Sequence, residues 1–298
     1  WTTWHPDQAL ETFEKKAPES HMTWTYKKRC NCNYYAVIWI IRKGTVEADI
    51  PCCGRNLKIR KINTLRNLRS SKLPLFLGFE PTDIVLWRRE IGVSLQELLA
   101  EAHSVAKALP DTKYVINICS RQDTFLVGLI AAHIRSQVSI FPNSQVPFRI
   151  QQIEGIYPDS YILCDGEQPF QSEDVINLSE FISYPPTKRI KTAFEIDPSS
   201  CTAILFTSGT TGLPNPHIKT FGSFVHVARS TAESINLDQT LRYSYVATVP
   251  AQHMYGLEVG IMLPLQTGST LYFKRPYYPK DVQKALSQVP PPRILVTT

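Results

Sequence analysis

The chain has 298 residues, 43% hydrophobic and 19% charged, so it can bury a core and is not a disordered polymer. That length suits two domains of ~100–200 residues, and no run of ~18 apolar residues is present to span a bilayer. The net charge of +6 is uneven: residues 1–72 hold 14 basic and 6 acidic side chains, and the rest is net −2. Basic character therefore says nothing about the bulk of the molecule.

Residues 1–72 keep no helical or strand period for long. Tyr34–Ile41 reads as one buried strand or as a helix turn. We read this segment as a solvated basic extension, or as sequence foreign to the downstream protein, in preference to a nucleic-acid or membrane contact. Cys30, Cys32, Cys52 and Cys53 lack the paired C-x₂₋₄-C arms of a closed zinc site, so no metal is expected there. An odd count of seven cysteines, with no cleavable signal pattern, points to reduced thiols and a cytoplasmic setting. The chain starts at Trp1 and stops at Thr298, straight after strand-like Ile294–Val296, and reads as a fragment.

From Leu73 the pattern sharpens. Ser94-Leu95-Gln96-Glu97 is a capping box, and Leu95, Leu98, Leu99, Ala102, Val105, Ala106 and Leu109 then share one helical face up to Pro110. A strand is expected at Tyr114–Cys119, a helix at Asp123–Arg135, a strand at Val138–Phe141, a helix over 148–156 and a strand at Tyr161–Cys164. Tyr184–Arg189 is polar and proline-bearing, as a linker would be. Beyond it come a strand at Thr202–Phe206, a loop, a helix-like run through Val225 and Ala228, and a strand at Tyr245–Val249. A helix from near Leu257, a strand at Thr270–Phe273 and a helix over Asp281–Val289 complete the order. Such alternation implies an α/β fold of doubly wound, mostly parallel sheets. We divide it into sub-domains 73–190 and 191–298, behind the extension 1–72.

Thr207-Ser208-Gly209-Thr210-Thr211-Gly212 puts four hydroxyls and two glycines into six positions after a buried strand. Glycine opens conformations that aim successive amides at one anion, hydroxyls add donors without bulk, and a following helix start favours negative charge. The pattern is a clasp for a polyphosphate. By chance it would occur in on the order of one such chain in 10⁴–10⁵, which sets it above an ordinary Ser/Thr-rich turn. It is not a Walker loop, because Pro214 and His217 stand five residues after Gly209 and Gly212, and no G-x-G-x-x-G is present.

Phe206-Thr207-Ser208-Gly209-Thr210-Thr211-Gly212-Leu213-Pro214 resembles the phosphate-loop signature of the acyl-adenylate-forming (AMP-dependent synthetase/ligase) superfamily. Val249-Pro250-Ala251-Gln252-His253-Met254-Tyr255-Gly256 is similar to that family's P-x-x-H-x-x-G segment, and Leu263-Pro264-Leu265 with Gly268 also fits. The likeness runs from about Leu73 to Thr298, the N-terminal part of such enzymes. Most relatives place Lys directly after the loop's proline; here Asn215 stands there. The continuation Pro216-His217-Ile218-Lys219 resembles a smaller branch with a P-x-P-H-x-K variant. Lys219 either supplies the missing cation or starts a helix, and His217 either meets phosphate or caps that helix.

The resemblance implies that a carboxylic acid is activated with Mg-ATP and passed to a thiol, either coenzyme A or carrier-protein pantetheine. Thr207, Ser208, Gly209, Thr210, Thr211, Gly212 and Lys219 would hold the phosphates. His253 would act near the carboxylate, with Met254, Tyr255 and Gly256 shaping the acid pocket. The Tyr-Gly-x-Thr-Glu motif, the ribose Asp and the mobile domain with its catalytic Lys do not occur in 1–298. The magnesium ligands are largely expected outside as well, and little turnover is expected from this stretch alone. The rival reading is a non-catalytic nucleotide-binding remnant or regulatory module. Neither a membrane span nor nucleic-acid binding is expected.

Overall fold

The alternation expected after residue 72 folds as parallel β-α-β units. The computed structural model describes residues 72–166, 174–182, 194–207 and 215–298, and the backbone of three earlier strands. These are β1 (Thr23–Trp24), β2 (Val37–Arg42) and β3 (Thr45–Asp49). Cys30, Cys32, Cys52, Cys53 and the 184–189 linker lie outside the described residues.

After β4 (Leu73–Pro74), β5 (Ile84–Arg88) and β6 (Ile91–Ser94) form a hairpin that our sequence reading missed. Helix α1 (Leu95–Ala108) starts on the expected capping box, where the Glu97 carboxylate accepts from the Ser94 amide at 2.9 Å and its hydroxyl at 2.7 Å. Its predicted apolar face is buried throughout. Then come β7 (Tyr114–Asn117), α2 (Gln122–Ile134), β8 (Val138–Phe141), α3 (Pro147–Ile156), β9 (Ser160–Cys164), β10 (Val175–Asn177) and β11 (Glu195–Ile196). Strand β12 (Cys201–Thr207) is followed by β13 (Asn215–Thr220) and α4 (Phe221–Ser234). Strand β14 (Ser244–Ala247), a π-helical stretch (Gly256–Met262) and α5 (Leu263–Leu265) come next. The chain closes with β15 (Thr270–Tyr272), α6 (Pro279–Ser287) and β16 (Arg293–Thr297).

One sheet runs β10-β9-β7-β8-β12-β13, parallel except for β13, which turns back on β12. The other runs β1-β3-β2-β16-β14-β15-β5-β6, and β4 and β11 form a small third pair. Both large sheets draw strands from either side of residue 190, so the expected boundary there does not divide them. Strand β12 finds its partner in β8, and β15 finds its partner in β5; hydrogen-bond register, not nearness in sequence, selects the neighbours. The extension is likewise not wholly a solvated tail, since β2 lies antiparallel to β16 from Arg293↔Ile41 to Thr297↔Val37.

Helix α2 is the layer between the sheets. Phe125, Leu126, Val127, Leu129 and Ile130 are all buried, and a helix apolar all round belongs inside. Helix α3, on the opposite face of the six-stranded sheet, buries only Ile150 and Ile153.

A buried ionic cluster ties these layers together. Arg88, 2% exposed at the end of β5, makes a two-pronged contact to Glu101 of α1 (2.6 and 2.7 Å), and its Nε donates to Asp123 of α2 at 2.8 Å. Burial pushes the Glu101 carboxyl up, and Arg88 opposes that shift. Removing Arg88 strands the Glu101 carboxylate in the interior, whereas Asp123 keeps Arg121, whose Nε donates to it at 2.9 Å. Arg88→Met should therefore lower unfolding free energy by about 3–5 kcal/mol in urea titration. A loss below about 1 kcal/mol, the range of exposed pairs, would show that the cluster holds nothing together.

Candidate functional site

In parallel sheets, ligands bind at the carboxyl ends of the strands. Here the carboxyl edges of both large sheets face each other and are stitched by polar contacts. The amides of Gln122 and Asp123, at the start of α2, donate to the Phe273 carbonyl beyond β15 at 2.9 and 3.4 Å. The Gln122 side chain donates to the Ala247 carbonyl of β14 at 3.4 Å, and the Gln252 side chain donates to the Cys119 carbonyl beyond β7. Arg121 lies over the Phe273 ring, 5.4 Å from its centre. Asp165, beyond β9, accepts from the Ser120 and Arg121 amides and the Thr124 hydroxyl at 2.9, 2.7 and 2.6 Å. Our sequence reading missed Arg121, Gln122 and Asp165 as site-forming residues. Gln252 alone had a signal, its place inside P-x-x-H-x-x-G.

The β12–β13 hairpin brings the loop to this edge. Leu205 pairs with Phe141 of β8, so Thr207 and Asn143, each two residues on, are level at neighbouring strand ends. Thr207 pairs with Asn215 across the hairpin base. Ser208, Gly209, Thr210, Thr211 and Gly212 lie outside the described residues, as do the side chains of Thr207 and Asn215.

The loop runs into β13, not into the expected helix. Helix α4 begins only at Phe221, with the Thr220 hydroxyl accepting from the Ser223 amide at 3.3 Å. Its N-terminus is thus at the far end of β13, about 20 Å from the loop, and a macrodipole acts within one turn. The helix-start contribution to the clasp is removed, and with it the reading of His217 as the helix cap, a place that Thr220 fills directly after Lys219. His217 is exposed opposite Leu205; Lys219 stands opposite Ala203, its ammonium 3.6 Å from the Glu258 carboxylate. That position is about 13 Å along the strand from the loop base.

The Val249–Gly256 segment follows β14 of the other sheet and leads into the π-helical stretch. The His253 amide donates to the Pro250 carbonyl at 3.1 Å, and the Leu257 amide to the His253 carbonyl at 2.8 Å. Gly256 is required sterically, because a Cβ would fall on the Pro250 carbonyl oxygen. The turn displays His253 at the surface, close enough to Asn143 for that residue's backbone to act on the imidazole's proton affinity. Partial desolvation lowers its pKa below the ordinary imidazole value, the positive charge of Arg275 lowers it further, and the Asn143 backbone opposes both. Met254 and Tyr255 pack partly buried against the main core. The Tyr255 hydroxyl is buried with no hydrogen-bond partner among the described residues.

The family model described as AMP-binding enzyme matches residues 127–293, more than half of the chain. No curated protein sequence matches it. Among solved structures, the chain is similar to the O-succinylbenzoate coenzyme A synthetase of Bacillus subtilis in complex with AMP: TM-score 0.57, 17% identity, 70% of this chain and 56% of that one. A malonyl-CoA ligase ternary product complex with methylmalonyl-CoA and AMP gives 0.58, 17%, 74% and 46%. A Klebsiella oxytoca NpsA N-terminal subdomain in complex with 3-hydroxybenzoyl-AMSN gives 0.52, 18%, 67% and 51%. Identities this low speak for the fold alone, and the chain spans about half the length of the structures it matches.

Gly256→Ala should unfold the His253 turn and lower stability by about 1–3 kcal/mol. Gly155→Ala is the control, because a Cβ there meets nothing within 4 Å; equal melting of the two variants would deny the steric constraint. Arg275→Met should raise the His253 titration midpoint in an NMR pH series, since a like charge is removed. An unmoved midpoint would disprove the coupling.

Proposed function

We propose that this chain, which belongs to the AMP-binding enzyme family, carries the phosphate clasp and part of the acid pocket of an AMP-forming acid–thiol ligase. The supporting observation is the register of β12 on β8, which sets Thr207, at the base of the loop, level with Asn143, whose backbone acts on the His253 ring. It puts a neutral imidazole and a hydroxyl-rich loop at one edge, as bringing a carboxylate to a polyphosphate requires.

In the first half-reaction a carboxylate oxygen bonds to the α-phosphorus of ATP and pyrophosphate leaves. In the second, a thiol sulfur bonds to the acyl carbon and AMP leaves. The amides and hydroxyls of Thr207, Ser208, Gly209, Thr210, Thr211 and Gly212 would orient the leaving pyrophosphate, chiefly by positioning and electrostatic stabilisation. Bound magnesium neutralises phosphate charge in such sites; its ligands would fall largely outside 1–298. A B. subtilis neighbour was solved with ATP and magnesium ion.

His253 would donate to the incoming carboxylate, while Met254, Tyr255 and Gly256 shape the pocket. The unpartnered Tyr255 hydroxyl suits an acid that carries a second polar group. Coenzyme A or a carrier-protein pantetheine would be the acceptor, and the reaction would be cytoplasmic. No described helix is long and apolar enough to cross a membrane.

A second reading, a nucleotide-binding module without catalysis, is favoured by Asn215 in the usual lysine place and by the engagement of Lys219 with Glu258. The two readings differ in one assay. In the whole protein, Thr210→Ala with Thr211→Ala should slow carboxylate-dependent ATP–pyrophosphate exchange by about 10²–10³-fold. Unchanged exchange would remove the loop from the chemistry, and nucleotide binding without any exchange in the wild type would select the module.

A further inference from the structure

Three segments from the two large sheets are tied together at the carboxyl edges: residues 119–123 beyond β7, the end of β14 with the turn after it (247–253), and 273–275 beyond β15. The Gln252 side chain donates to the Cys119 carbonyl, the Gln122 side chain to the Ala247 carbonyl, and the Gln122 amide to the Phe273 carbonyl. Each segment therefore brings its side chains to one junction: Arg121 from the first, His253 from the second, Lys274 and Arg275 from the third.

The cations of this junction are not equally spent. Arg121 is committed, since its Nε donates to Asp123 at 2.9 Å and its guanidinium lies over the Phe273 ring. Asp165, the other carboxylate here, accepts from two amides and a hydroxyl. Lys274 is exposed, with its ammonium 5.5 Å from the centre of the same Phe273 ring, and Arg275 is half-buried. Among the described residues, neither Lys274 nor Arg275 forms an ion pair. A guanidinium that gives up part of its hydration without gaining a carboxylate is short of an acceptor.

Two adjacent cations suit an anion that carries more than one negative charge. A single carboxylate is matched by one of them, whereas a diphosphate engages both, and the arginine fork fits phosphate oxygens. We propose that Lys274 and Arg275 form an anion subsite beside His253 that takes phosphate groups of the nucleotide. Its position rests on the contacts above, and the identity of the anion rests on the ligase reading. The subsite supplies positive charge that Asn215, in the usual lysine place, does not.

The test titrates inorganic pyrophosphate and ATP into the whole protein by calorimetry. Lys274→Met and Arg275→Met should each weaken pyrophosphate binding by about 10–100-fold, as loss of a charge-assisted hydrogen bond predicts, with ATP following the same order. Arg275→Lys, which keeps the charge, should weaken it less than Arg275→Met. Lys107→Met is the control: it removes an exposed charge from the last turn of α1, before the amino end of β7, and should stay within about 2-fold of wild type because so distant a charge is screened. Weakening in Lys274→Met and Arg275→Met no greater than in the control would overturn the proposal, as would a wild type that binds no pyrophosphate. Succinate is titrated in the same way; loss of its binding in the two variants with pyrophosphate binding intact would make this a dicarboxylate subsite and also overturn the proposal. A wild type that binds pyrophosphate through these residues but shows no ATP–pyrophosphate exchange keeps the subsite and removes the ligase reading instead.

Discussion

The start of α2 is where the two sheets are fixed to each other. A helix leaves its first amides without partners inside the helix, and here those of Gln122 and Asp123 find the Phe273 carbonyl, which belongs to the other sheet. The same turn is gripped from its own sheet by Asp165, which holds the Ser120 and Arg121 amides. Asp123 also closes the Arg88–Glu101 cluster one turn from the carboxyl edges. The groups that would bind a substrate thus sit above a junction where slack in either sheet would leave buried donors unmet, a penalty of about 1–3 kcal/mol for each.

A clasp on a strand hairpin differs physically from one that opens a helix. Where a glycine loop runs into a helix, the macrodipole adds to the loop amides. Here β13 separates loop from helix, so that field is too far away to act. If the ligase reading holds, attraction for a polyphosphate would fall to amides, hydroxyls and whatever cations converge on the edge. Lys219 is occupied by Glu258, which shifts the demand to other charges. Arg275 is suited to part of it, since its charge reaches the His253 ring.

The parts legible in the sequence were those with a local cause. The α1 face followed from its spacing behind Ser94, and α2 was expected close to its place, over Asp123–Arg135. Strands β8, β9, β12 and β14 showed as short β-branched runs. The β5–β6 hairpin did not, because its turn is Arg89-Glu90 and the positive φ of 59° falls on Arg89, with no Gly or Asn to announce it. Strand β13 was hidden by its prolines: Pro216 argues against a central strand and is tolerated because β13 is an edge. Missing β13 left the helix start unplaced and offered His217 as a cap, a place that Thr220 fills. The His253 turn was legible as a motif, but its reason, the contact of Gly256 with Pro250, needs coordinates. The junction of Arg121, Gln122 and Asp165 brings together residues distant in sequence, which no local pattern records.

The state of His253 bears on how an acid would be received. An imidazole whose pKa is depressed by burial and by Arg275 is neutral at pH 7, so it offers one donor and no net charge. A neutral donor can orient a carboxylate without forming the tight ion pair that would deepen the ground state and have to be broken on the way to the phosphorus. On the ligase reading, long-range attraction would fall to a cation such as Arg275, whose charge reaches the His253 ring. Division of these tasks between two residues lets the anion be drawn in and still be free to react. A depressed histidine beside an arginine is thus in a protonation state compatible with the ligase reading.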